Sequence, residues 1–235
     1  MSLNKLSKAI GFGRFFSALA SPLAVHTLVV VSTLGIACLN GSAQSPPPPL
    51  LLDGFTTGPY VETRTSGGQH DSVFLQLPAG SPLGQARATT FSVSQGVYAH
   101  QFGRLVIETV PGQPPTGICI LDTGFGDVTE VLLQYGWTLS GVQSPLALNL
   151  GEYSAFRLNL AGVAGGVTLD IEVYNGNKGS ISGVGVGSNG NPFSVDIPFS
   201  SFPGDLNFSD ITEIIIIAES EYGSNFAITS FEAVN

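Results

Sequence analysis

The stretch from residue 191 to residue 234 constrains the fold more than any other part of the chain. Its segments 193–199 and 226–234 alternate apolar with polar residues, and residues 214–217 between them are all isoleucine. Alternation with a period of two places one face of a β-strand in a core and the other face in water. The stretch therefore predicts an all-β domain whose last strands pair with strands formed much earlier in the chain.

Similar patterns occur before this stretch. Apolar residues alternate with polar ones in segments 146–150, 156–160 and 169–173. No window of eleven residues after residue 43 has the apolar spacing of an amphipathic helix; at most, residues 203–210 form a helical turn. About ten to thirteen strands at intervals of roughly 8 to 15 residues predict a single antiparallel β-sandwich of the jelly-roll type.

Three segments carry more specific expectations. The polar residues 63–71 indicate a loop, and the Gly- and Ser-rich residues 178–190 fit either an edge strand or a loop. The isoleucine run 214–217 is apolar on both faces, which predicts a central strand that is covered on both sides.

The charge balance limits the partners that the domain can have. Only 11% of residues are charged, and three of the eight basic residues lie before residue 15. The remaining five basic residues stand against 17 acidic ones, so residues 44–235 have a net charge of −12. Nucleic acid and anionic membranes are therefore not expected as partners. Neutral sugars, cations and basic partners fit this charge, and so does a surface that serves only solubility.

Residues 1–43 have the three parts of a secretory signal peptide. Basic residues up to Arg14 precede an apolar core at 23–37, and Gly41-Ser42-Ala43 forms a small-residue cleavage site. The apolar core is short for a membrane span, and no transmembrane segment is expected after it. The sequence predicts a secreted protein that is cleaved after Ala43.

The residues near this cleavage site allow an alternative. The sequence Gly35-Ile36-Ala37-Cys38 resembles the lipobox of bacterial lipoproteins, which predicts a lipid anchor on Cys38. Residues 44–49 contain four prolines and predict a stiff linker, which leaves residues 50–235 for the β-sandwich. Cys119 is then the one cysteine of the mature chain, so no intrachain disulfide is expected, and its apolar neighbours predict a buried, unreactive thiol.

From about residue 140 onward, the order of features resembles the galactose-binding-like jelly roll of carbohydrate-binding modules and of many exported bacterial proteins. The resemblance lies in the segments LALNL and SAFRLNL, the strand end Tyr174-Asn175-Gly176, the segments IPFSSF and SDITEI, and the closing FEAV. The opening Leu52-Asp53-Gly54-Phe55 resembles the short first strand of that fold. The resemblance implies a module that binds carbohydrate or a cell-surface glycan.

The same resemblance implies two kinds of site. Members of the fold often hold a structural calcium ion between their first and last strands, which would make Asp53 and Glu232 its carboxylate ligands. Sugar-binding members stack exposed aromatic rings on pyranose faces, with amides beside them. The candidates in this sequence are Trp137, Tyr135, Tyr174, Asn175, Asn177 and Tyr222.

Catalytic patterns are weak. Asp170 and Glu172 share one strand face and form a pair of the kind that glycoside hydrolysis uses, although solvated carboxylates explain them equally simply. Asp122, Asp127 and Glu130 surround a Gly-rich turn, where Asp is common. His70 and His100 lack the spacing of metal ligands.

These observations order three hypotheses. The leading one is an exported, non-catalytic module that binds carbohydrate. The second is a structural protein of the extracellular matrix or cell surface that assembles through its strand edges. The third is a glycoside-cleaving enzyme that uses Asp170 and Glu172.

Overall fold

The computed structural model describes residues 45–65, 68–69, 72–94, 102–111, 116–221 and 223–235. Several expectations concern residues outside these ranges. They are the signal peptide with its cleavage site after Ala43, the lipid anchor on Cys38, the loop positions of His70 and His100, and the ligand contact of Tyr222.

Within the described ranges the chain forms strands and one short 3-10 turn. The strands are β1 (Leu50–Asp53), β2 (Tyr60–Arg64), β3 (Gly68–Gln69), β4 (Val73–Gln76), β5 (Ala86–Ser94), β6 (Gly103–Val110), β7 (Thr116–Thr123), β8 (Val128–Trp137), β9 (Ala155–Ala164), β10 (Val167–Asn175), β11 (Lys178–Val186), β12 (Phe193–Pro198), β13 (Glu213–Glu221) and β14 (Asn225–Val234). No helix of the length and apolarity needed to cross a membrane occurs in the part of the chain that the structure describes.

The strands form two seven-stranded antiparallel sheets. Sheet A has the order β12-β9-β14-β7-β6-β2, with β1 also paired to β14, and sheet B has the order β11-β10-β13-β8-β5-β3, with β4 also paired to β5. The two sheets pack face to face, as the period-two patterns require. The predicted all-β, antiparallel sandwich is confirmed, and β13 and β14 both lie inside their sheets between strands from earlier in the chain.

The space between the sheets is filled by aliphatic and aromatic side chains from both inner faces. One contiguous cluster joins Leu105 and Leu121 of sheet A to Leu133 and Ile216 of sheet B, all of them closed to solvent. The cysteine Cys119 lies in this cluster, and burial raises the pKa of its thiol to about 12. The prediction of a buried, unreactive thiol is therefore confirmed in the structure.

The alternating leucines at 146–150 do not form a strand, contrary to the sequence prediction. Leu146, Leu148 and Leu150 are buried, but they lie on the connection between β8 and β9. The connection runs extended beside residues 208–212, and its single bridge joins Leu148 to Ile211. An extended segment that is attached at every second residue buries alternate side chains just as a strand does.

Three other expectations need correction. Residues 63–71, expected to be a loop, contain the end of β2 and the short strand β3. The isoleucine strand β13 is central, but a two-layer sandwich covers it on one face only. Its outward Ile215 is nevertheless buried, and Ile217 is half-buried. The turn expected at 203–210 occurs earlier, as a 3-10 turn at Phe199–Ser201.

Candidate functional site

Asp53, a predicted calcium ligand, lies in the core between the two sheets. Its Oδ2 atom pairs with the Arg87 guanidinium and accepts a hydrogen bond of 2.9 Å from the Tyr135 hydroxyl. Its Oδ1 atom accepts a bond of 2.7 Å from the backbone N–H of Phe55. Arg87 and Tyr135 are both fully buried. These partners come from β5 and β8 of sheet B and bind a carboxylate from β1 of sheet A.

The cluster of Asp53, Arg87 and Tyr135 is electrostatically matched. Burial alone would lower the pKa of Arg87, but the charge of Asp53 raises it above its ordinary value. Burial and the nearby Asp53 carboxylate raise the pKa of Tyr135 far above its ordinary value. The guanidinium also lies 5.2 Å from the centre of the Phe55 ring. The carboxylate therefore has a permanent cation beside it, and its oxygens are occupied.

Glu232, the second predicted calcium ligand, lies on the opposite face of sheet A. Along the pairing of β1 with β14, Leu51 is opposite Glu232 and Asp53 is opposite Phe231. Because Phe231 is in the core, Glu232 points outward. Its Oε1 atom accepts bonds from Asn159 Nδ2 at 2.9 Å and Ser230 Oγ at 2.8 Å.

The expectation that Asp53 and Glu232 share a calcium ion is therefore wrong. The two side chains point to opposite faces of one sheet, and Arg87 already neutralises the first of them. The described residues contain no group of three or more His, Cys, Asp or Glu side chains that could hold a metal ion.

Tyr135 is also corrected as a sugar-stacking residue. Its ring is fully buried, packs 6.4 Å from the Phe231 ring and carries the hydroxyl that binds Asp53. Asn175 and Asn177 lie at the turn between β10 and β11. Asn175 donates to the carbonyl of Asn207 at 3.2 Å, and Asn177 lines an open groove of about 400 Å³ that residues 203–206 form with the start of β11.

The outer face of sheet B collects the other sequence candidates, and we call it the acidic face. It carries five carboxylates, and no Lys or Arg side chain lies among them on the described strands of this face. The carboxylates are Asp170 and Glu172 of β10, Glu213 and Glu219 of β13, and Glu130 of β8. Apolar side chains of Leu132, Ile215 and Ile217 lie between them. The face is therefore negatively charged with an apolar centre.

Tyr174 lies at one end of the acidic face. Its hydroxyl donates to Glu172 Oε1 at 2.6 Å, and this bond, followed by burial, raises the pKa of Tyr174 to about 12. The neighbouring position on β11 is Gly179, where a Cβ atom would lie 2.6 Å from the ring. The glycine thus leaves room for the ring to lie against the edge strand, and the side chain remains partly exposed.

Trp137 lies at the other end of the acidic face, near the Phe74 ring at a centroid distance of 5.8 Å. Tyr135 and Trp137 are two residues apart, so a regular strand would direct both to the same side. An irregularity in the register between β5 and β8, at Gly136 with φ 105°, reverses the direction of Trp137. The Trp137 ring is half-buried, and its Nε1 atom is buried without a hydrogen-bond partner in the described structure.

Hydrogen-bonding side chains lie between these two rings. Glu213 pairs directly with Tyr174 across the strands, and its Oε2 atom accepts a bond of 3.1 Å from Gln143 Nε2. Burial, and to a smaller extent the charge of Glu172, raises the pKa of Glu213, while the bond from Gln143 lowers it. Tyr174 and Trp137 are on strands separated by one other strand, which corresponds to about 10 Å.

Asp170 and Glu172, the candidate catalytic pair, are both on the acidic face. Glu172 accepts the Tyr174 hydroxyl, and Asp170 lies across Gly183 of β11, where a Cβ would come within 1.6 Å of its Oδ1 atom. Both carboxylates stand on one open strand surface, whereas glycoside hydrolysis needs two carboxyl groups on opposite sides of the scissile bond. The placement of Glu172 beside Tyr174 suits hydroxyl binding.

The acidic turn between β7 and β8 has a structural explanation. Asp127 is buried, and its Oδ2 atom accepts a bond of 2.8 Å from the Phe102 backbone N–H. Asp122 and Arg104 form a long, exposed pair at 3.9 Å. Glu130 lies on the acidic face, three residues along β8 from Asp127.

Sequence reasoning missed Arg87, Glu213 and Gln143. A signal existed for Arg87, since it lies in phase with the core residues Phe91 and Val93 of β5. The other two residues have no such signal, because Gln143 reaches Glu213 from a connection that the strand patterns do not place.

Comparisons with known proteins return solved structures only. No protein-family model and no curated protein sequence matches the chain. A family 11 carbohydrate-binding module from Clostridium thermocellum, in complex with a β-1,3-1,4-mixed-linked tetrasaccharide, is similar at 10% identity, with a TM-score of 0.38 over 80% of this chain and 95% of that one. The module TmCBM61, in complex with β-1,4-galactotriose, gives 13% identity and a TM-score of 0.32 over 62% and 88% of the two chains.

A Stig cyclase from Fischerella is similar over 79% of this chain and 98% of its own, at 9% identity and a TM-score of 0.33. The similar structures thus include carbohydrate-binding modules, the class that the sequence resembles. Similarities this distant say nothing about the ligand of this chain.

Proposed function

We propose that the acidic face of sheet B binds a neutral carbohydrate chain without cleaving it. The observation that carries this proposal is the placement of Tyr174 and Trp137, two partly exposed rings, at the two ends of one sheet face. Aromatic rings combine an apolar surface with a polar group, which suits the apolar face and hydroxyl edge of a sugar. Carboxylate and amide groups of Glu172, Glu213 and Gln143 lie between them as partners for hydroxyls.

The charge of the face selects the class of carbohydrate. Five carboxylates with no basic side chain among them repel anionic polysaccharides, and a sugar hydroxyl is a good donor to an ionised carboxylate. The half-buried Trp137 Nε1–H is a further donor that lacks a partner in the described structure. A neutral glycan chain therefore suits the face better than a uronic acid or sulfated polymer does.

Affinity electrophoresis tests the proposal. The protein is run through gels that contain neutral β-glucans, galactans, mannans or xylans, with a polyuronate gel as the anionic comparison. We expect retardation in at least one neutral gel and none in the polyuronate gel. Titration calorimetry with the corresponding oligosaccharide then gives the affinity, and Trp137→Ala and Tyr174→Ala should each weaken it by about tenfold or more, which is about 1.4 kcal/mol.

A matched control comes from Phe125, an aromatic residue that is 79% exposed on the turn between β7 and β8, away from the acidic face. Phe125→Ala should leave the affinity unchanged. Retention that survives loss of both Trp137 and Tyr174, or no retention on any glycan, would contradict the proposal. Thermal unfolding of each variant separates loss of the site from loss of the fold.

We also propose that the mature protein acts outside the cytoplasm. The support is the signal-peptide pattern of residues 1–43. The N-terminus of the protein recovered from its native host checks this directly. Cleavage after Ala43 would leave Gln44 first, lipidation would leave a modified Cys38 first, and an intact leader would contradict export.

A further inference from the structure

The ends of the two sheets differ in how well they are protected against pairing with another chain. An exposed edge strand presents unpaired N–H and C=O groups, and proteins usually protect it with charges, prolines, bulges or short length. Three of the sheet ends follow this rule. At the ends of sheet A, β12 has six residues and contains Asp196 and Pro198, and β2 has five and contains Glu62 and Arg64. One end of sheet B has only β3 and β4, of two and four residues.

The remaining end, strand β11, lacks these protections. It has nine residues, and after Lys178 it contains no charged residue and no proline. Its register with β10 is unbroken from Asn175–Lys178 to Val167–Val186, so no bulge bends it away. No other described strand pairs with it.

The backbone groups that face outward from β11 can be assigned. Its hairpin with β10 has a two-residue turn, so Asn175 and Lys178 form a hydrogen-bonded pair, and every second residue from Lys178 to Val186 bonds to β10. The alternate residues therefore direct their N–H and C=O groups away from the sheet. They are Gly179, Ile181, Gly183 and Gly185.

We propose that β11 pairs antiparallel with β11 of a second copy of this chain, about a twofold axis at Ser182. In this register Ile181 lies opposite Gly183 of the partner copy, and Gly179 lies opposite Gly185. The four outward residues of each copy then bond to those of the other, and the two sheets B become one continuous sheet. An interface with twofold symmetry uses the same strand on both copies, and it closes after two chains.

Side-chain size fits a second copy as the occupant. Ile181 is 47% exposed, and in the proposed register it lies over glycines of the facing strand, which have no side chain to clash with it. A Cβ on Gly185 would meet no other atom within 4 Å, so the outer face of the strand is open there. Apolar burial of Ile181 on both copies adds to the backbone bonds.

Charge also favours this strand for self-association. Two copies with a net charge of −12 each repel one another over most of their surface. Among the four sheet ends, β11 brings no carboxylate of its own to the contact. Because the repulsion is long-ranged, salt screens it, and association should strengthen as the salt concentration rises.

Sedimentation velocity of the mature protein from micromolar to near-millimolar concentration tests the proposal. We expect a reversible dimer whose dissociation constant falls with added salt. Ile181→Lys places two like charges near the twofold axis and should weaken dimerisation by at least tenfold. The control is Val61→Lys, which changes a residue of similar exposure on the edge strand β2 and should leave the dimer unchanged.

Cysteine cross-linking tests the register. Opposed residues of a non-hydrogen-bonded antiparallel pair have Cα atoms about 4.5 Å apart, within disulfide range. Ser182→Cys should therefore cross-link two copies under mild oxidation. Gly185→Cys, whose partner copy lies about 20 Å away along the strand, should not cross-link.

Three results would overturn the proposal: a monomer at all concentrations, a dimer that Ile181→Lys leaves intact, or a dimer that does not cross-link through Cys introduced at 182. None of them affects the carbohydrate proposal, because monomeric protein can still be assayed for glycan binding through Trp137 and Tyr174.

Discussion

Arg87 occupies a position in the core that an apolar side chain would normally take. A buried charge is tolerated only when a partner neutralises it and its hydrogen-bonding groups are used. Asp53 provides the charge, the Tyr135 hydroxyl binds the same carboxylate, and Thr57 Oγ1 lies 3.5 Å from Arg87 Nη2. The cluster joins sheet A to sheet B without a disulfide bond.

Removing one member of the Asp53–Arg87 pair should be costly. Asp53→Asn leaves the guanidinium buried without its counterion, and we expect the free energy of unfolding to fall by about 3–5 kcal/mol. Tyr135→Phe removes only the hydroxyl bond to the carboxylate and should cost about 1.5–3 kcal/mol. Urea unfolding measures both values.

The double variant Asp53→Asn, Arg87→Met provides the control. Because it removes the charge as well as the counterion, it should be less destabilised than the two single changes predict together. Equal, additive losses would show that the two side chains do not act as a pair.

At the scale of elements, strand β8 determines which aromatic residue faces which side. Alternation alone would place Tyr135 and Trp137 together, and the irregularity at Gly136 separates them into core and surface. The sequence contains Gly136, but a glycine inside a strand pattern indicates only that a bulge is possible. The outward direction of Trp137 therefore could not be predicted from period-two patterning.

Strands β8 and β13 place Glu130 directly opposite Glu219 on the acidic face. Like charges in this arrangement destabilise a sheet by about 0.2–1 kcal/mol. Burial, followed by the charge of Glu219, raises the pKa of Glu130, although a hydrogen bond from Ser92 opposes the shift. The raised pKa means that the folded protein holds this proton more tightly than the unfolded chain does. Stability due to Glu130 should therefore rise as the pH falls through the raised pKa toward the ordinary value of a glutamate.

Glu130→Gln should consequently stabilise the protein at pH 7 by about 0.2–1 kcal/mol and have little effect near pH 4. Thermal unfolding across this pH range provides the measurement. Glu108→Gln, on β6 opposite the apolar Ile118, is the control and should change stability little at either pH. A destabilised Glu130→Gln protein at pH 7 would contradict the like-charge explanation.

At the scale of the whole molecule, the class of fold was predictable because period-two patterning reports directly on burial in a two-layer sandwich. The patterns of 156–160, 169–173 and 226–234 correspond to β9, β10 and β14. They failed at 146–150, because burial of alternate residues does not require a sheet ladder. Patterning also cannot say whether a second layer covers the outward side of β13.

The candidate site was predictable only in part. Exposed aromatics were expected, and Tyr174 and Trp137 lie on one face, but Tyr135 lies in the core and Asp53 pairs with Arg87. Residue types indicate what a side chain can do, whereas their convergence depends on strand order and register. Glu213 is beside Tyr174 because β13 pairs with β10, across nearly forty residues of sequence.

The location of β14 inside sheet A has a consequence for how the protein is made. Strands β1, β7 and β9 all await this one partner, which the ribosome synthesises after each of them. Sheet A can close only once residues 225–234 have emerged, so the nascent chain lacks a finished layer for nearly all of its synthesis. A polypeptide in that condition can still be threaded through a narrow translocation channel, and its two layers can meet on the far side.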